Sequence, residues 1–242
     1  ARRNAPRQGN DVRYELRLTF EEAAKGCHKS VEFYRYENCA TCGGSGAKPG
    51  TQPQTCSMCK GTGQIRQSGG WMTTVRTCPA CGGSGKVIKD KCSSCGGSGR
   101  VRMRRTLELD VPAGVDDNIV LSKRGQGEPG ANGGPNGDLL IQITVKPHKL
   151  FRREGTNLRL EVPISFTQAA LGAEIDVPTL DGSVKYTIPE GTQTDTEFRI
   201  RGKGIQQLGS NNKGDLIFKV RVETPRRLTE KQRELLRQFD GD

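Results

Sequence analysis

Residues 39–99 read CATCGGSGAKPGTQPQTCSMCKGTGQIRQSGGWMTTVRTCPACGGSGKVIKDKCSSCGGSG, and one eight-residue pattern, Cys-x-x-Cys-x-Gly-x-Gly, recurs in them four times: 39–46, 56–63, 78–85 and 92–99. A disulfide framework seldom repeats one spacing four times. Two thiolates separated by two residues, in contrast, share one tight turn and reach the same ion. Tetrahedral coordination by sulfur takes two such pairs, so Cys39/Cys42, Cys56/Cys59, Cys78/Cys81 and Cys92/Cys95 predict two zinc ions per chain. Glycines follow every second cysteine, at Gly44 and Gly46, Gly61 and Gly63, Gly83 and Gly85, and Gly97 and Gly99. Without a Cβ they can take positive φ and aim amide N–H groups at the sulfurs. From Cys39 to Gly99 there are 14 Gly and only ten apolar residues other than Cys, too few to bury a core. Structural zinc contributes roughly 10–16 kcal/mol per site in small peptides, so metal is the expected organiser of this module.

The chain between the pairs bears on which of them share an ion. GQIRQ, the turn SGG and WMTTVRT form a hairpin signal, with β-branched and aromatic residues flanking Gly69 and Gly70. A hairpin joins its ends, which groups Cys56, Cys59, Cys78 and Cys81 on one zinc and leaves Cys39, Cys42, Cys92 and Cys95 for the other. Spacing alone also permits pairing of sequence neighbours. Cys-x-x-Cys is the spacing of thiol oxidoreductases too, but four similar pairs without a thioredoxin-like strand and helix argue against a single catalytic dithiol. With only His28 and His148 available, and eight sulfurs closing both sites, catalytic zinc is disfavoured. Cys27 reads as a small buried residue.

Composition bounds the remainder. The 242 residues hold 32 Gly, 32% hydrophobic residues and 38 Lys+Arg against 27 Asp+Glu, a net charge of +11. So few apolar residues cannot fill one large core, which predicts two or three small modules. No run of about 18 apolar residues offers a membrane span, and the basic opening ARRNAPRQGND is unlike a secretory signal. Reduced cysteines favour the cytoplasm.

Internal repeats define the modules. FEEAAKG (20–26) matches FTQAALG (166–172) at an offset of 146 residues. VPAGVDDNIVLSKRGQG (111–127) matches IPEGTQTDTEFRIRGKG (188–204), and GDLLIQITV (137–145) matches GDLIFKVRV (214–222), both at an offset of 77. The difference, 146 − 77 = 69 residues, is about the length of the cysteine-rich segment. The chain therefore reads as a duplicated β-domain with a zinc module inserted in the first copy. The expected fold is mainly β: two tandem small β-sandwiches, a zinc-binding hairpin module and a short C-terminal helix. Expected limits are 1–36 plus 101–148, 37–100 for the zinc module, 149–226, and 227–242 for the helix. DVRYELRL alternates as a half-buried strand, FEEAA is a helix ended by Gly26, and the later strands repeat this order. The loop GQGEPGANGGPNGD lacks the Gly-Lys-Ser/Thr ending of a P-loop and reads as a flexible turn. In LTEKQRELLRQF, Thr229 and Gln232 form a capping box. Leu228 is placed as a staple, and Leu235, Leu236 and Phe239 share a side that must pack on something, a second copy being one partner.

Four Cys-x-x-Cys-x-Gly-x-Gly copies inside the first of two duplicated β-domains resemble the type I DnaJ-family co-chaperones over essentially the whole chain, as do VPAGVDDNIVLSKRGQGEPG and GDLLIQITVKPHKLFRREG. The resemblance implies a protein, not an enzyme, that holds unfolded polypeptides and delivers them to a DnaK-type ATPase chaperone, dimerising through its C-terminal segment. The nested zinc pairing agrees with the family pattern. It also implies a peptide pocket at Val12, Val31, Phe33 and Phe151, where a client adds to a free strand edge. The family's J-domain tripeptide His-Pro-Asp is absent, since Lys29 follows His28 and Lys149 follows His148. The resemblance therefore covers the client-binding half. A thiol-disulfide oxidoreductase is one competing reading, and a basic zinc nucleic-acid binder is another. The second is opposed by an aromatic content of 5% and by cysteine motifs without a recognition helix. Eight thiolates and two zinc ions would also change the net charge by −4, from +11 to +7.

Overall fold

Alternation of apolar and charged residues produces strands along most of the chain. The computed structural model describes residues 5–69 and 72–240. In the first copy these are β1 (Val12–Leu18), α1 (Phe20–Lys25) and β2 (Cys27–Asn38). The cysteine-rich segment follows with β3 (Gln54–Thr55), β4 (Gln64–Gly69), β5 (Met72–Thr77) and β6 (Lys86–Val87), and the first copy resumes with β7 (Arg100–Val111), β8 (Val120–Lys123) and β9 (Leu139–Val145). The second copy comprises β10 (Arg152–Glu154), β11 (Asn157–Ser165), α2 (Phe166–Leu171), β12 (Ala173–Thr179), β13 (Gly182–Ile188), β14 (Glu197–Ile200), β15 (Leu216–Glu223) and the terminal helix α3 (Glu230–Asp240). The protein is mainly β, as its patterning implies. No helix among the described residues is long and apolar enough to cross a membrane.

The strands form small sheets ordered β1-β9-β8, β10-β11-β15-β14, β12-β13, β2-β7, β3-β6 and β4-β5. They belong to two compact units. One contains Ala1–Tyr14, Ser30–Leu107 and Val120–Ile141, and the other contains Glu15–Lys29, Glu108–Ile119 and Gln142–Asp242. In the second unit β11 and β15 run parallel, with Leu158, Leu160, Val162 and Ile164 opposite Leu216, Phe218, Val220 and Val222. Of these eight only Val222 is not buried; it packs against the cluster. Tyr186 meets Phe218 edge-on at 5.0 Å, and Phe198 lies 5.4 Å from it. In the cysteine-rich segment β4 and β5 form an antiparallel hairpin with Gln64 opposite Thr77 and Gly69 opposite Met72. Its turn residues Gly70 and Trp71 lie outside the described residues.

The duplication extends to single hydrogen bonds. Thr19 caps α1 in a box with Glu22, and Ser165 caps α2 in a box with Gln168, 146 residues later. Gly26 (φ 78°) and Gly172 (φ 74°) end these helices where a Cβ would meet the carbonyl oxygens of Val111 and Ile188 at 2.8 and 2.9 Å. At the offset of 77, Asp138 accepts from the N–H of Gly125 as Asp215 does from Gly202, both at 2.9 Å. Val145 donates to Asp117 as Val222 donates to Thr194. The left-handed positions Asn118 and Asp195 also coincide. Two copies with the same offsets close the same turns, because the same local chemistry recurs.

The glycine-rich loop at 125–138 differs from a flexible turn. Arg7 and Ala131 exchange two backbone hydrogen bonds of 2.9 Å, and Gly9 donates to Pro135 at 3.0 Å. A Cβ on Gly134 would lie 2.0 Å from the Arg7 oxygen, so the absent side chain lets the segment before β1 seat against the loop.

Candidate metal centres

The turns after each second cysteine are built alike. The hydroxyls of Ser45, Thr62, Ser84 and Ser98 donate to the carbonyls of Cys42, Cys59, Cys81 and Cys95 at 2.6–2.8 Å. Each turn then aims an amide at its own sulfur: Gly46 to Cys42, Gly63 to Cys59, Gly85 to Cys81 and Gly99 to Cys95, at 3.2–3.3 Å. A hydroxyl-bearing residue stands between the two glycines in all four repeats, the one sequence signal for the hydroxyl-to-carbonyl contact. It fixes the carbonyl of the metal-side cysteine and so the direction of the turn.

Turns then associate in pairs. Cys39 N–H donates to the Gly99 carbonyl and Cys92 N–H to that of Gly46, both at 2.9 Å; Cys56 with Gly85 and Cys78 with Gly63 repeat this at 3.0 Å. Backbone contact is close enough that a Cβ on Gly63 would lie 2.3 Å from the Gly83 oxygen, and one on Gly99 the same distance from Gly44. These exchanges bring Cys39, Cys42, Cys92 and Cys95 into one group and Cys56, Cys59, Cys78 and Cys81 into another, with all sulfurs of a group within 4.8 Å of one another.

The sulfur positions can be tested against a metal. Cys39–Cys92, Cys42–Cys95, Cys56–Cys78 and Cys59–Cys81 separations are 3.9, 3.8, 3.9 and 3.7 Å. A tetrahedron with metal–sulfur bonds of about 2.3 Å has edges of about 3.8 Å, whereas a disulfide would bring the atoms to about 2.05 Å. Two cysteine tetrads are therefore positioned to bind metal. The electrostatics divide each tetrad: burial opposes ionisation of Cys42 and Cys59, but amides of Gly46 and Gly44, and of Gly63 and Gly61, together with neighbouring thiols outweigh it and bring both to about 6. Burial instead pushes Cys78 up to about 11 and Cys92 upward. Metal binding would remove the proton from such groups. The ninth cysteine, Cys27, is half-buried and belongs to neither tetrad.

The other residues singled out from the sequence lie on different elements. Val31 and Phe33 alternate on β2 and are buried, Val12 on β1 is half-buried, and Phe151 joins the core of the second unit. Phe151 is held by a contact the sequence reading missed: His148 Nδ1 accepts the N–H groups of Leu150 and Phe151, both at 3.0 Å, and its ring stacks on Phe151 at 4.9 Å. On α3, Leu235, Leu236 and Phe239 are 55, 37 and 77% exposed, and Leu228 is half-buried. The capping box forms as expected, with Gln232 N–H donating to Thr229 Oγ1. An open groove of about 1180 Å³ runs beside this helix, lined by Ile164, Phe166, Val222, Leu228, Leu235 and Leu236 among others.

The comparisons with known proteins agree with this construction. The chaperone protein DnaJ of Ruminiclostridium cellulolyticum is 53% identical over 241 residues, covering 98% of this chain and 64% of the relative. Those of Acetivibrio thermocellus and Geobacillus kaustophilus are each 54% identical, covering 98 and 99% of this chain and 62 and 64% of their own lengths. The chain thus spans less than two thirds of these relatives. The sequence profile of the DnaJ C terminal domain matches residues 12–225, spanning both repeats and both cysteine tetrads, and the chain belongs to that family.

Proposed function

We propose that this chain captures unfolded polypeptides and presents them to a DnaK-type ATPase chaperone, in the cytoplasm and as a homodimer. The observation that carries this reading is β2: it is 12 residues long and pairs only with β7, so one of its edges has no strand neighbour among the described residues. An extended client adding there gains backbone hydrogen bonds independent of its sequence. Val12, Val31 and Phe33 would select an apolar client side chain; Phe151, which the resemblance adds to them, packs in the core of the second unit. The proposed domain limits remain 1–36 with 101–148, 37–100, 149–226 and 227–242. Zinc in each tetrad, two ions per chain, would be structural and would hold the cysteine-rich module folded. The groove beside α3 supports dimerisation through Leu228, Leu235, Leu236 and Phe239, because it leaves apolar side chains for a second copy to cover.

Thiol-disulfide exchange is not favoured, since all four Cys-x-x-Cys pairs sit in metal-type tetrads. Sequence-specific nucleic-acid recognition is not favoured either, as the described residues place no helix in the cysteine-rich module. The test is aggregation of a chemically denatured model protein diluted into the zinc-loaded chain, with DnaK ATP hydrolysis measured in parallel. Aggregation should fall near stoichiometric chain, Phe33→Ser should weaken that effect with little change in the melting curve (a large loss of stability would make Phe33 a core residue instead), and hydrolysis should not accelerate, since this sequence carries no His-Pro-Asp tripeptide. Unchanged aggregation would refute the client-capture reading.

A further inference from the structure

The net charge is distributed unevenly. The unit containing residues 1–14, 30–107 and 120–141 has 18 Lys and Arg against 6 Asp and Glu, a net +12; the other has 20 against 21, a net −1. Two divalent ions on eight thiolates would change the first value by −4, leaving +8. Essentially all the positive charge therefore belongs to the unit that contains most of β2 and β7.

One face of that β2-β7 pair concentrates groups suited to a partner. Tyr34 and Tyr36 are 53 and 48% exposed, on the side of β2 opposite Val31 and Phe33. The Arg102 guanidinium stacks over Tyr34, 4.5 Å from the ring centroid. Arg104 pairs with Glu32 on the same face, but no carboxylate among the described residues pairs with Arg102. A guanidinium stacked on an aromatic ring keeps its N–H edge free for a carboxylate. Exposed Tyr and Arg are also the side chains that most often dominate interface energies.

We propose that this face, Tyr34, Tyr36, Arg102 and Arg104, selects client segments in which Asp or Glu flanks an apolar residue. The inference rests on the reading that extended clients add to β2, and it specifies which of them bind best. A polypeptide fits better than single-stranded nucleic acid because Arg102 already covers the Tyr34 ring, removing the face on which a base would stack. The fork it presents instead matches a carboxylate.

The test uses three fluorescent peptides of equal length with one Leu-Phe centre flanked by Glu, Gln or Lys, and anisotropy with the full zinc-loaded chain. At low salt the Glu peptide should bind about tenfold more tightly than the Gln peptide, and the Lys peptide more weakly. The advantage should shrink in 300 mM salt as screening shortens the reach of the charges. Arg102→Gln should cut the Glu advantage at least threefold with an unchanged melting curve and unchanged Gln-peptide affinity, while Arg102→Lys keeps most of it. Equal affinity for Glu and Gln peptides, an advantage that survives Arg102→Gln, or stronger displacement by oligothymidylate than by Glu peptide would overturn the proposal. Should none of the three peptides bind, client capture at β2 itself fails, a result distinguishable from a captured client without acid preference.

Discussion

Replacing Gly63 by Ala should weaken metal binding at one cysteine tetrad while leaving the other unchanged. Gly63 sits at φ +68°, and a Cβ there would lie 2.3 Å from the Gly83 carbonyl oxygen. Its amide donates to Cys59 Sγ at 3.2 Å, and its carbonyl accepts from Cys78 at 3.0 Å. A left-handed Ala alone costs about 1–2 kcal/mol. Relieving the clash shifts one turn against the other by about 1 Å, weakening two hydrogen bonds worth roughly 1 kcal/mol each. Gly82 is the matched control, because it belongs to the same tetrad at φ +57° with nothing within 4 Å of its ideal Cβ. Gly82→Ala should therefore carry only the backbone cost. The expected difference, about 2 kcal/mol, corresponds to about 30-fold weaker metal affinity for Gly63→Ala. Chelator competition with a chromogenic indicator, supported by elemental analysis, would read this as one tightly held metal per chain in Gly63→Ala and two in Gly82→Ala. Equal affinities for the two variants would refute the role assigned to close backbone approach.

Other expectations follow from the same structure. Phe218→Ala removes a fully buried ring that packs on both Tyr186 and Phe198 and should lower the stability of the second unit by about 3–5 kcal/mol in urea unfolding. Glu37 receives a two-bond contact from Arg105 at 2.6 Å and one from Arg35 at 2.8 Å, and the Arg105 hydrogen bond chiefly brings its carboxyl down to about 2. A folded carboxyl below its unfolded value stabilises fully above about pH 4.5, and this contribution disappears as pH falls toward 2. Because Arg105 is half exposed, about 1 kcal/mol is expected. Glu37→Gln should be less stable than the parent by that amount at pH 6, with the gap narrowing below about pH 4.5 and closing only as pH approaches 2. In sedimentation over a range of concentrations, Leu235→Glu with Phe239→Glu should shift a dimer to monomer without changing the melting curve; an unchanged distribution would reject α3 as the dimer contact.

Much of the metal site was legible before any fold was known. The Cys-x-x-Cys spacing defines which thiols share a turn, and the four repeated glycine pairs announce where the backbone must take positive φ, as at Gly63 and Gly85. The duplication was equally legible: offsets of 146 and 77 recur in the capping boxes and in the Asp138 and Asp215 turns, because each depends on residues near in sequence. The glycine-rich loop was not. Its partner is Arg7, more than a hundred residues away, and composition alone suggests slack chain where backbone hydrogen bonds hold it.

Residue identity thus determined the donor set, the repeated β-domains, the capping of the helices and the net charge of +11, since all of these are local or additive properties. Only the tertiary structure decided which turns face each other, that sulfurs of paired turns stand 3.7–3.9 Å apart, and that Val31 and Phe33 are buried while Tyr34 and Tyr36 on the same strand stay exposed. It also decided that the charge gathers in one unit, a net +12 against −1. The physical reason is distance along the chain: a two-residue spacing or a helix cap is closed by its own segment, whereas burial and turn-to-turn register depend on segments that meet only when the whole chain folds.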